Sequence, residues 1–395
     1  MKATLFIIIF SITITTTAMS QNIGEIIGQI KSKFAPDNRT AIFDISYSLE
    51  NDELILSGEV SEKIFKEELI KELSSKLTYK IKDEIEVLPS KKLGTKVYGI
   101  INLSVANIRS KPEHPEELST QALMGMPVRI LKEKSGWYLI QTPDEYLGWV
   151  DNDGIELYTL DEMIKWINSK KIIYTEFFGF VYSDKRFTKK ISDIVAGCMV
   201  ELIKANKNFF EVKLPDGRIG FIKKDEAKLF DDWIKSLDFT AQSVINTSMQ
   251  MIGFPYLWGG TSIKGFDCSG FVKTIFFLNG LILPRDANQQ DVVGEEVPFD
   301  VELSELKPGD LIFFGRRASE TRPERITHVG MYLGDKKFIH SSGRVRIDSF
   351  HKNHPDYNEY RLNTIVRVKR FLHDKKTLDN WKIINNKFYK EEFYK

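Results

Sequence analysis

Phe271, Val272, Ile275 and Phe276 recur at helical spacing, and Asn279-Gly280 follows them as a stop, so the pattern predicts an amphipathic helix here. Further along, Thr327 to Leu333 and Lys337 to Ser342 alternate or run fully apolar, the signature of two strands joined by Gly334-Asp335-Lys336. Near the start, the pattern gives a helix (Ile23 to Phe34), strands at Ala41 to Tyr47 and Leu54 to Val60, a helix at Glu62 to Leu77, and a strand near Ile81 to Leu88. The middle of the chain repeats itself. At a shift of 72 residues, Gly125, Val128 and Leu131 fall on Gly197, Val200 and Ile203. At the same shift Trp137-Tyr138 falls on Phe209-Phe210, Pro143-Asp144 on Pro215-Asp216, and Gly148-Trp149-Val150 on Gly220-Phe221-Ile222. Each unit reads as short strands joined by turns, which close most naturally into small barrels. Between the units, Thr159 with Glu162 forms a capping box that opens a short helix.

The predicted helix at Phe271 gives Cys268 its meaning. A glycine-rich loop, Trp258-Gly259-Gly260, leads to Gly265-Phe266-Asp267-Cys268-Ser269-Gly270, which places the cysteine on the first helical turn. Unpaired N–H groups and the positive dipole end there favour a thiolate, the nucleophilic form. A nucleophile needs a base, and His328 and His340 lie on the two downstream strands. Side chains alternate faces along a strand, so an odd, three-residue loop at 334–336 puts both rings on one face, two residues apart. The second cysteine, Cys198, lies in an apolar run and reads as a small buried hydrophobe. A catalytic zinc site built from Cys268, His328 and His340 is the competing use of the same residues, without a fourth ligand or metal-ligand spacing to support it. His114, His351, His354 and His373 carry no comparable context.

Composition adds the compartment and removes some partners. Lys2, an apolar run from Ala3 to Ile14, and Ala18-Met19-Ser20 before Gln21 read as a secretory signal peptide over residues 1–20, too short and too soon polar to span a bilayer. The mature chain is expected to be exported, periplasmic or extracellular, with no stable membrane insertion. The net charge of +1 gives no electrostatic case for nucleic acid, and two cysteines make no disulfide scaffold. No cofactor and no metal are expected.

These residues resemble the NlpC/P60 family of cell-wall cysteine peptidases. The resemblance rests on Tyr256-Leu257-Trp258-Gly259-Gly260, Asp267-Cys268-Ser269-Gly270, His328-Val329-Gly330, His340, Leu283-Pro284-Arg285-Asp286 with Gln289, and Lys307 to Leu311. It implies a papain-like α+β catalytic domain over 240–371, with Cys268 as nucleophile, His328 as base and His340 as its orienter, cutting the γ-D-glutamyl bond to a diamino acid in peptidoglycan stem peptides. The repeated pattern resembles bacterial SH3 domains and implies two small all-β SH3-like barrels, at 97–157 and 173–230. Residues 21–96 form a small α+β module whose Leu54 to Val60 resembles a BON-like unit, and 372–395 is a charged, aromatic tail. The expected fold class is therefore multidomain. This order of domains resembles γ-D-glutamyl-L-diamino acid endopeptidases that require a free N-terminal L-alanine. The resemblance then implies that Glu117 neutralises the substrate amine and that Tyr146 assists, so that liberated peptides are cut in preference to intact wall. Tyr256 is expected to complete the oxyanion hole with the Cys268 N–H, and Trp258 to line the pocket. Asp267 and Ser269 flank the nucleophile as caps or substrate contacts, and Arg285 and Asp286 either meet the D-glutamate carboxylate or hold their loop. A wall amidase or acyltransferase with the same triad, and a non-catalytic wall-binding protein, are the alternatives.

Overall fold

The computed structural model describes residues 22–300, 302–372 and 375–394. The signal peptide expected at residues 1–20, and His373, lie outside the described residues. No helix among them is long and apolar enough to cross a membrane. The chain divides into two compact units, 1–94 and 95–395.

The first unit pairs Phe43–Glu50 antiparallel with Glu53–Val60, and the latter parallel with Lys80–Val87. Asn51 and Asp52 take positive φ in the tight turn, and the helix Lys63–Lys76 makes the crossover between the parallel strands. Phe65, Leu69 and Leu73 of that helix close a core with Ile23, Ile26, Leu54 and Leu56. Burying such side chains is what holds a three-stranded sheet in water.

The second unit holds two seven-stranded antiparallel sheets and one of six strands. The first seven-stranded sheet contains, in chain order, Tyr98–Ile101, Val105–Arg109, Leu118–Leu123, Pro127–Lys134, Trp137–Gln141, Leu147–Asp151 and Ile155–Tyr158. The second contains Lys171–Tyr174, Phe178–Tyr182, Lys190–Val195, Met199–Ala205, Phe209–Lys213, Ile219–Lys223 and Ala227–Leu229. Both have the same spatial order, seventh strand, first, fourth, fifth, sixth, second, third. The agreement reaches single residues. Register slips between Ile130 and Lys132 in the first sheet, and between Leu202 and Lys204, 72 positions on, in the second. Between the sheets, Thr159 and Glu162 form a reciprocal capping box on the helix Leu160–Asn168.

The six-stranded sheet runs Glu295–Glu296, Ile365–Arg370, Leu311–Arg316, Arg325–Gly334, Lys337–Ser342, Arg344–Ser349. Against it packs the helix Cys268–Phe277, whose Phe271, Val272, Ile275 and Phe276 are fully buried. After Phe371 the chain runs back over the body as a helix, Lys375–Trp381, and three single turns. Ile282 donates to the Trp381 carbonyl, Asn386 to the Pro143 carbonyl, and Lys387 pairs with Glu145, so the segment straps the six-stranded region to the first small sheet.

The hairpin that carries His328 and His340 differs from expectation. Gly334 pairs with Lys337, so the loop is two residues, Asp335 and Lys336, both at positive φ. A two-residue loop alone gives an odd register and turns the rings to opposite faces. A bulge between Tyr332 and Gly334 absorbs one residue and restores the even register seen at Met331 with Ile339. The two histidines thus share a face by a different route from the three-residue loop.

Candidate active site

The helix Cys268–Phe277 starts at Asp267, whose Oδ1 accepts from the Gly270 N–H at 2.6 Å. Its position is fixed by contacts that only glycine permits. A Cβ on Gly270 would stand 1.9 Å from the Gly260 carbonyl oxygen, and one on Gly259, where φ is +79°, 1.9 Å from the Leu118 oxygen. The first contact seats the loop on the helix, and the second lets a strand of the first small sheet come against the loop. From that sheet, Gln121 exchanges hydrogen bonds with Thr261 and accepts from Ser262. Asp144 stands 2.6 Å from Lys273 Nζ on the helix, both nearly buried, as an ion pair without hydrogen-bond alignment.

Arg285 is 1% exposed. It donates to Asp267 at 2.5 and 3.2 Å, to Ser269 Oγ at 3.0 Å and to the Ser119 carbonyl at 3.1 Å. Burial opposes its charge, but Asp267 outweighs burial and keeps it protonated. Arg285, Asp267 and Ser269 therefore form a buried scaffold at the start of the Cys268 helix, with Arg285 bonded to its loop. Asp286 caps the short helix Ala287–Gln290 and accepts from the Tyr146 hydroxyl at 3.0 Å. Glu117 and Trp258 meet where the first small sheet overhangs the loop, with Trp258 Nε1 donating to Glu117 Oε1 at 2.6 Å. Trp258 is 63% exposed, so this pair faces solvent.

Cys268 is buried, and the N–H groups of Ser269 and Val329 point toward its sulfur. The sulfur thus sits at the backbone of the residue that follows His328. Helix position had suggested a favoured thiolate, and here the structure differs. Burial first, and the Asp267 charge second, push the thiol up to about 11, against the pull of the two N–H groups. His328 moves the other way. Burial, with Arg361 and His340 adding to it, holds its imidazole well below the usual histidine range. Both groups are therefore pushed toward their uncharged forms.

His328 Nε2 lies 2.7 Å from His340 Nδ1, the rings nearly perpendicular. On the far side, His340 Nε2 lies 3.2 Å from Asp348 Oδ2, a close contact without ideal alignment. A carboxylate there favours the proton on His340 Nε2. We assign His340 Nδ1 as acceptor from His328 Nε2–H on that basis, which leaves His328 Nδ1 as the basic nitrogen. Asp348 is 3% exposed and also accepts from Arg346 at 2.8 Å and Asn358 at 2.6 Å. Burial opposes its charge, but these three partners hold it well below the usual carboxylate range. The rings turn toward one another, and among the described residues no group of three or more His, Cys, Asp or Glu is placed to hold a metal ion. Tyr256 is pushed up to about 12 by burial, Cys268 and Asp267, so its hydroxyl stays a donor. Cys198 is fully buried, its thiol pushed up to about 12 chiefly by burial.

Asp348, Asn358 and Arg361 were not among the sequence candidates. One trace of Asp348 exists, since Arg344, Arg346 and Asp348 alternate along the strand that pairs with the His340 strand. Asn358 and Arg361 sit at a five-residue helix, Glu359–Asn363, with too few residues for a period.

The sequence pattern of the NlpC/P60 family matches residues 253–364, and that of the bacterial dipeptidyl-peptidase Sh3 domain matches residues 108–155. The chain is similar to the gamma-D-glutamyl-L-lysine dipeptidyl-peptidase of Bacillus cereus, 30% identical over 252 residues, 62% of this chain and 73% of that protein. It is similar to dipeptidyl-peptidase 6 of Lysinibacillus sphaericus, 27% identical over 283 residues, 68% of this chain and 97% of that protein. Among solved structures, an NlpC/P60 family protein from Bacillus cereus aligns with a TM-score of 0.59 and 25% identity, covering 70% of this chain and 100% of that one.

Proposed function

Because this chain belongs to the NlpC/P60 family, we propose that it is a cysteine endopeptidase that hydrolyses the γ-D-glutamyl–diamino acid bond of peptidoglycan-derived peptides, preferring those with a free N-terminal L-alanine. The observation that carries this is the line His328, His340, Asp348 together with Cys268, whose sulfur meets the N–H of Val329, the residue after His328, on a helix whose preceding loop carries the Glu117–Trp258 pair. Cys268 attacks the amide carbonyl while its proton passes to His328 Nδ1. This transfer generates the thiolate, the form that attacks. The Cys268 N–H and the Tyr256 hydroxyl receive the developing oxyanion. His328 returns the proton to the leaving amine, and water then cleaves the thioester. His340, held by Asp348, keeps His328 in one tautomer.

The Glu117 carboxylate is the partner for the substrate ammonium. An acylated amine carries no charge for it, so a peptide still linked to sugar loses that pairing. The similarity to the gamma-D-glutamyl-L-lysine dipeptidyl-peptidase of Bacillus cereus supports the same choice of bond. Residues 1–20 export the chain on this proposal, which N-terminal sequencing of the secreted or periplasmic protein tests.

The test of activity uses purified mature protein with L-Ala-γ-D-Glu-diaminopimelate, free or N-acetylated, read by mass spectrometry, with Cys268→Ala as control. Release of L-Ala-D-Glu from the free peptide alone, lost in the variant, is the expected result. Equal cleavage of both peptides removes the amine preference, and cleavage of neither removes the endopeptidase assignment.

A further inference from the structure

Around Asp348 the charges do not balance. Two guanidinium groups, Arg346 and Arg361, share its field. Arg346 takes the carboxylate directly at 2.8 Å, and Asn358 takes the same oxygen at 2.6 Å. Arg361 is left with aromatic contacts, its guanidinium carbon 5.4 Å from the ring centres of both Phe314 and Tyr360. Among the described residues no carboxylate lies within ion-pair distance of it, and Asp348 acts on it only from longer range. With both histidines neutral, Arg361 is a surplus, half-buried positive charge. Such a charge is costly unless an anion answers it.

Its place in the site says which anion. The Phe314 ring that carries Arg361 also packs on His328, at 5.7 Å between ring centres. Its charge is felt at Cys268, His328, His340 and Tyr256. The loop and scaffold under Cys268 that meet the first small sheet, with Arg285 on Ser119 and Trp258 on Glu117, lie to the acyl side in the proposed mechanism. The leaving amine must lie on the histidine side, because His328 returns its proton there. An L-diamino acid leaving through its α-amine carries a carboxylate two bonds from that nitrogen.

We infer that Arg361 binds the α-carboxylate of the diamino acid that leaves, an assignment that rests on the endopeptidase function proposed above. Asn358 caps the turn that carries it, accepting from the Arg361 backbone N–H at 3.0 Å while donating to Asp348, so that turn and the histidine line share one anchor. The enzyme then selects peptides that end at the diamino acid. When that carboxyl is tied in an amide to a further residue, the charge that Arg361 reads is gone.

Three peptides test this with the full mature chain: L-Ala-γ-D-Glu-L-Lys, the same with a lysine carboxamide, and the same with the D-Glu α-carboxamide. The wild type is expected to favour the free lysine carboxylate over its amide by about 10-fold or more in kcat/KM, mainly through KM. Arg361→Met keeps the packing on Phe314 and is expected to bring that ratio to within roughly two-fold, while Arg361→Lys restores part of it. L-lysine is expected to inhibit the wild type more strongly than L-lysinamide, a readout that needs no variant. Equal loss on the lysine acid and the lysine amide in Arg361→Met makes the residue structural and overturns the assignment. So does a wild type indifferent to the lysine carboxyl, or a variant whose ratio changes only for the D-Glu amide, which moves Arg361 to the other carboxylate. A wild type that cuts none of the peptides removes the endopeptidase function, and this assignment with it.

Discussion

The two seven-stranded sheets are one framework used twice, and they differ in what hangs from it. Strand order is the same, and the bulge at Leu131 recurs 72 residues later at Ile203. Leu131 is fully buried, whereas Ile203 is 46% exposed. Asp144 reaches out to Lys273 on the Cys268 helix, while its counterpart Asp216 pairs with Arg218 in its own turn. Tyr146 donates to Asp286, and the residue in its place is that same Arg218. Glu117 meets Trp258, and its counterpart is Lys189. Both sheets touch the 261–264 loop, through Gln121 in the first and through Asp193 to Lys264 in the second. The backbone needs its strands, its bulge and a positive φ at Glu145 or Gly217. Those demands are met by both copies, so the difference in role comes from side chains at the turns.

The largest expected effect follows from Asp144. Asp144→Ala strands a nearly buried lysine on the Cys268 helix and is expected to cost about 3–5 kcal/mol. Asp216→Ala removes a partly exposed local pair and is expected to cost less than about 1 kcal/mol. Chemical denaturation of both variants checks this. Equal costs would mean that the two copies are held in the same way and would break the comparison.

A second effect separates the site from the copies. The second sheet contains no histidine, and the one on the first, His114, is exposed. The site buries two, both held below the usual histidine range, chiefly by burial. The unfolded chain therefore binds more protons between the ordinary value of about 6.5 and the lower folded values, and stability rises with pH across that window. The contribution is fully present above about pH 6.5 and is lost as pH falls, by up to about 1.4 kcal/mol per pH unit for each imidazole. Asp348, also depressed, adds a loss further down, below the ordinary carboxylate range. Melting temperatures from pH 7.5 to 5 are expected to fall in the wild type and to fall less in His328→Gln/His340→Gln. An unchanged slope in the variant would place the acid sensitivity elsewhere.

Patterns that depend on chain-local order were legible in the sequence, and those that depend on distant partners were not. The 72-residue repeat, the buried face of Phe271, Val272, Ile275 and Phe276, and the capping box at Thr159 are all local. So was the adjacency of His328 and His340, though the loop length inferred from parity was wrong, because a bulge changes parity without leaving a composition signal. The state of Cys268 was misjudged for a related reason. The helix start is local and argues for a thiolate, but the burial that raises the thiol most comes from packing, with the charge of the adjacent Asp267 adding to it. Asp348, Asn358 and Arg361 are far from Cys268 in sequence; Asp348 shows only as one polar position of an alternating strand, and Asn358 and Arg361 sit in a polar stretch that resembles any loop.

The smaller effects test whether the turn residues of the first copy serve the substrate. Glu117→Gln keeps an oxygen to accept from Trp258 and removes only the charge. It is expected to lower kcat/KM on the free-amine peptide by about 10- to 100-fold and on the N-acetylated peptide hardly at all, because only the former carries an ammonium. Lys189→Gln, at the matching position of the second copy, is expected to change neither. Tyr146→Phe removes one hydrogen bond to Asp286, worth about 1 kcal/mol, and is expected to lower kcat/KM by less than about 10-fold on both peptides alike. The contrast matters more than either size. A loss confined to the free amine marks a residue that reads the substrate, and a uniform loss marks one that holds the site in shape. If Glu117→Gln behaves as Tyr146→Phe is expected to, the first copy is a scaffold like the second, and its turns differ from its twin's only in what they pack against.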